Sequence, residues 1–134
     1  MTAASAAQMF ERAALLRDKW QALNWLNTRL DWLRQACRRS CVYPAAGADG
    51  SRDHWRLIHN GGVRATTPAP RDAAGRREAA AALAKVYDEA ASAPPGPDEI
   101  DGVLLVAAWF RRHPAEQEKA LTPEAARALC GAPC

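Results

Sequence analysis

The amino-acid sequence predicts an α+β fold, mainly helical, in which a long N-terminal helix leads into a three-stranded antiparallel meander and then two to three shorter helices. Three observations carry this reading. Residues 3–39 contain neither proline nor glycine; the hydrophobic period then shortens between Cys41 and Pro68; and beyond Pro70 apolar positions recur at helical spacing between proline breaks. The chain has 134 residues, 49% hydrophobic and 25% charged, and this is the size and composition of one globular domain with a core of its own. We therefore expect a single domain over residues 1–134.

The first helix is expected over residues 1–40. Met9, Leu16, Leu23, Leu30 and Cys37 recur every seven residues, and Leu15, Leu26 and Leu33 widen that line into a stripe of roughly 140°. Trp25 and Trp32 fall outside the stripe, so the second half of the helix has two apolar faces and is the expected cover for the meander. Arg34, Arg38 and Arg39 close the helix where its dipole favours cations. At 1.5 Å per residue the helix would run roughly 55 Å, about twice the length of either of the next two. Either the shorter helices stack along it or it pairs with another chain, and Met9, Leu16, Leu23, Trp25 and Trp32 are the candidate interface.

The meander is expected over residues 41–68. Cys41-Val42-Tyr43 is a short β-prone run ending at Pro44, and Asp49-Gly50 lies in a loop. His54 to His59 form the second strand, Asn60-Gly61 is a hairpin turn, and Val63 to Thr67 form the third. Asp72 then caps a helix assigned to residues 71–91, weakened in its first turn by Gly75. Residues 92–97 read as a stiff linker. Asp98 caps a helix over residues 98–113, in which nothing charged occurs from Gly102 to Phe110, so burial on all sides is expected. His113-Pro114 ends it, and Thr122-Pro123 opens a short helix over residues 122–130.

Composition narrows the function classes. Eighteen Lys and Arg against fifteen Asp and Glu leave a net charge of +3, which permits a nucleic-acid partner without demanding one. No apolar signal core and no membrane-length run occurs, and a cytoplasmic location without membrane association is the expectation. The cysteines form two pairs four residues apart, Cys37/Cys41 and Cys130/Cys134, whereas zinc knuckles favour two residues between ligands. No metal site and no cofactor is assigned. His54, His59 and His113 have no carboxylate at a diagnostic spacing, and acids such as Asp98, Glu99 and Asp101 are what a first helical turn favours. No catalytic residue is assigned, and the chain reads as a non-enzyme. Arg38-Arg39 and Arg111-Arg112 stand at helix ends; if the fold brings those ends together they form a phosphate-holding patch, to which Arg64, Arg71, Arg76 and Arg77 would add.

Several short elements recur in a known context. These are the Leu/Trp-rich helix, Val42-Tyr43-Pro44, Asp49-Gly50, Trp55-x-Leu57-Ile58, Gly62-Val63, Pro68-Ala69-Pro70, Asp98-Glu99-Ile100-Asp101, and Trp109-Phe110-Arg111-Arg112-His113-Pro114. From about Leu15 onward the chain resembles the region that follows the nuclease domain in bacterial GIY-YIG endonucleases related to the incision subunit of excinuclease. The resemblance implies a role in DNA repair by metal-dependent phosphodiester cleavage. The paired Tyr-containing strand motifs, the Arg after them and the metal-binding Glu have no counterpart here, since Tyr43 and Tyr87 stand in other contexts. The expectation is a non-catalytic accessory module of such a nuclease system, binding DNA or a separately encoded nuclease subunit. The alternative is a protein-interaction module that forms a homodimer through its N-terminal helix.

Overall fold

The computed structural model describes the backbone of residues 3–48, 52–88 and 95–131, with side chains from Gln8 onward. The chain forms two compact units, Met1–Arg34 and Gln35–Cys134. The boundary falls inside a continuous helix, α1 (Ala3–Cys37). Within the first unit the large apolar side chains are exposed, Met9 by 64%, Leu16 by 57% and Leu23 by 66%. The last-turn cation of α1 is Arg34, bound to Asp31 one turn back at 3.0 Å. Arg38 and Arg39 lie past the helix rather than in its last turn, because tight bonds from Arg38 N to Gln35 O and from Arg39 N to Ala36 O end it.

The second unit is built on an antiparallel sheet of order β1 (Cys41–Ala45), β2 (His54–His59) and β3 (Gly62–Pro68). Strand β1 runs through Pro44 instead of ending at it. As an edge strand β1 has one side free of ladder bonds, so the missing N–H is tolerated there. Asn60 and Gly61 have φ of 51° and 79°, the left-handed pair that a two-residue hairpin requires. Between Leu57 and Ile58 the register with β3 shifts, so that Ile58 meets Val63.

Side chains alternate between two covered faces. On one, Val42, Trp55 and Leu57 pack with Ala79, Leu83 and Val86 of α2 (Ala73–Tyr87) and with Ala126 of α5 (Pro123–Gly131). The other carries Tyr43, Arg56, Ile58 and Val63, against which lies α3 (Ile100–Arg112). Thus, within this unit, α2, α5 and α3 cover the sheet. Leu121 adds a two-way bridge to β1, Val42 N to Leu121 O at 2.9 Å and Leu121 N to Val42 O at 2.8 Å.

Asp72 caps α2 as predicted, its side chain accepting from Gly75 N at 2.6 Å. Gly75 is buried there, and an added Cβ would lie 3.1 Å from Ala69 O, so the residue that weakens the helix also lets the chain pack closely. Helix α2 is capped at Asp88, and the rest of the predicted 71–91 helix, like most of the 92–97 linker and Asp49-Gly50, lies outside the described residues. Asp98 does not cap α3. It sits in a 3₁₀ turn, Pro97–Glu99, and the N-cap position belongs to Glu99, whose carboxylate accepts from Gly96 N at 3.0 Å. Nor is α3 buried on all sides: Val103 and Phe110 are buried, but Leu105 is 72% and Trp109 36% exposed. After His113 the chain turns into a short helix, α4 (Pro114–Glu118), that was not expected from the sequence, with proline at its first position.

Candidate nucleic-acid interface

The ends that carry the arginine pairs converge within the second unit. The turn after α1 is held by the β2–β3 hairpin, Gly61 N donating to Arg39 O at 2.8 Å and Asn60 N to Ser40 Oγ at 3.4 Å. So anchored, Arg39 lays its guanidinium over the ring of Phe110, 4.6 Å from the centroid. Arg111 and Arg112 follow Phe110 directly and are exposed, as is Arg38. Among the described residues, Arg38, Arg39 and Arg112 form no ion pair.

The other candidate cations do not join them. Arg64 is bound to Glu99 and to His59 O, and Arg71 to Asp53. Arg76 and Arg77 sit on α2, which packs on the opposite face of the sheet.

Beside Arg39 lies an aromatic group, of which the sequence pattern placed Trp109 and Phe110 in a buried helix. Tyr43 meets Trp109 edge to face at 5.1 Å and Phe110 at 5.8 Å, while His113 stacks on Trp109 at 5.0 Å and 26°. The Tyr43 hydroxyl donates to Glu116 Oε2 at 2.7 Å. Burial, reinforced by that carboxylate, pushes the phenol up to about 12. Lys119, and then Tyr43, hold Glu116 below the ordinary carboxylate range.

Between the sheet and α3 a groove of about 280 Å³ opens, floored by Ile58 and Phe110 and rimmed by Val63, Leu105 and Trp109. Its charged lining residue is Arg56, directly across from Tyr43 in the register and likewise without an ion pair among the described residues. The alternation of β1 and β2 held a signal for this site, because it puts Tyr43 and Arg56 on one face. The apolar character of α3 hid it by implying all-round burial.

Ser40 Oγ lies 3.1 Å from His59 Nδ1 and also accepts the Asn60 amide, and no described carboxylate orients the ring. Burial, with Arg64 nearby, holds His59 below its usual range. Cys37, Cys41 and Cys130 are free thiols, those of Cys41 and Cys130 pushed up by burial; Cys134 lies outside the described residues. Among the described residues no three His, Cys, Asp or Glu side chains gather as a metal site, and no helix is long and apolar enough to cross a membrane. Of the proposed interface on α1, Trp25 is exposed under the Arg29 guanidinium at 5.3 Å, and Trp32 is half-buried.

Fold and site together define a mainly helical α+β protein with an aromatic groove that Arg56 lines and whose Phe110 ring Arg39 covers. No protein family, curated protein or solved structure matches the chain.

Proposed function

We propose that this chain is a non-catalytic accessory module of a cytoplasmic DNA-repair nuclease system of the GIY-YIG, excinuclease-like type, holding DNA for a separately encoded nuclease subunit. The observation that supports this reading is Arg39 lying on Phe110, which brings the turn that carries Arg38 and Arg39 against the last turn of α3, where Arg111 and Arg112 follow in sequence. Cations gathered in this way neutralise phosphates and release the counterions condensed on them, whatever the base sequence. Binding should therefore weaken steeply as salt rises. Replacing Arg111 and Arg112 by Gln should lower affinity for all sequences alike and flatten the salt slope by about one unit per lost phosphate contact. The measurement is a salt titration of duplex and single-stranded DNA with wild type and the double variant. No binding even at low salt would overturn the reading.

A second reading, a protein-interaction module that dimerises through the N-terminal helix, is favoured by a different observation. Met9, Leu16 and Leu23 line one stripe of α1 and are all exposed.

A further inference from the structure

We infer that the groove between the sheet and α3 receives an unstacked base, so that the nucleic acid held by this chain is single-stranded. The inference rests on the DNA-holding reading and adds to it the form of the ligand. Two properties of the groove carry it.

The first is chemical. Apart from Arg56, the lining is hydrocarbon and aromatic ring, and the Tyr43 hydroxyl is already bound to Glu116. Such a surface takes a flat, largely apolar body, and every base offers one through its π-face. A base stacked inside a duplex enters only after it is flipped out, at an energetic cost that an unpaired strand does not carry.

The second is the distribution of charge. Arg56 stands in the groove, and Arg39 lies on Phe110, one of its lining rings. A single carboxylate on a peptide would answer one of these cations. A phosphodiester chain, with a negative charge at each nucleotide, answers both in succession while delivering the base between them. The nearby acid, Glu116, is already engaged by Tyr43 and by Lys119. Both properties favour a strand over a protein segment.

The test compares three probes by fluorescence anisotropy at one low salt concentration: an oligothymidylate, an abasic strand of equal length, and a duplex. The oligothymidylate should bind about tenfold more tightly than the abasic strand, as expected for one base stacked on aromatic side chains. It should also bind more tightly than the duplex. Leu105→Glu sets a carboxylate at the rim from a position that is 72% exposed, so the variant should melt like wild type while losing the preference for the base-bearing strand. Equal binding of the two single strands, or a Leu105→Glu variant that keeps the preference, would overturn the inference and leave the phosphate-holding reading standing. Displacement of both strands alike by an acidic, leucine-rich peptide would assign the groove to a protein segment instead. Binding of none of the three probes would remove both readings together.

Discussion

Replacing Gly61 by alanine probes the joint on which the arginine cluster depends. Gly61 has φ of 79°, a left-handed conformation that strains a residue with a Cβ by about 1 kcal/mol or more. The added methyl would stand 2.4 Å from Ala36 O and 2.8 Å from Val103 Cγ1. The first of these is backbone and cannot rotate away, so the hairpin must move off the end of α1. Overpacking of this kind typically costs about 1–3 kcal/mol. The bond from Gly61 N to Arg39 O, at 2.8 Å, would be stretched or lost, at roughly 1 kcal/mol more. We expect a total of about 3–5 kcal/mol. Gly62→Ala is the control, since its Cβ would meet nothing nearer than the Arg64 side chain at 3.8 Å and its φ is not positive. It should change stability by less than about 1 kcal/mol. Urea unfolding of both variants, compared at equal m, measures the difference. A Gly61→Ala protein as stable as Gly62→Ala would refute the argument that the turn and the helix end are locked together.

Two further outcomes follow from the geometry. Tyr43 is held up to about 12 and Tyr87 is raised as well, chiefly by burial, so the folded protein keeps phenolic protons that the unfolded chain loses near pH 10. Their contribution to stability is complete below pH 10 and falls as pH rises toward 12. Tyrosinate absorbance should appear above the usual range and together with loss of structure, and a rise centred near pH 10 in protein that remains folded would contradict this. If α1 pairs with a second copy, sedimentation should show a dimer that Leu16→Glu dissociates while the melting of the second unit stays unchanged; a monomer at high concentration would remove that reading.

Much of the architecture was legible because local rules govern it. The bounds of β2 follow from alternation between two breaks, the hairpin from Asn60-Gly61, and the start of α2 from a side chain able to accept the Gly75 amide. What local rules do not contain is which apolar face ends up covered. Leu105 lies in a helix that reads as buried on all sides and is exposed in the structure, since coverage depends on where α2, α3 and α5 return in space. For the same reason the candidate site was half visible. Pairs of arginines at helix ends can be read along the chain, but the groove exists only because α3 shields part of one sheet face. Arg39 reaches Phe110 only because the hairpin arrests the turn after α1.

The bridge between Val42 and Leu121 has a consequence for the order of folding. β1 lies at one edge of the sheet, and its free hydrogen-bonding side is taken up at Val42 by a residue that follows nearly the whole of the second unit in sequence. The β2–β3 hairpin closes over a two-residue turn and can form early, whereas this clasp must wait until the helices between have been made. Emerging from the ribosome N-terminus first, the nascent chain therefore carries β1 with an open flank for most of its synthesis. An unclasped flank of this kind is a template for pairing with a neighbouring chain. Leu121 thus acts as a late latch, and the interval before it engages is when the growing chain is most exposed to aggregation.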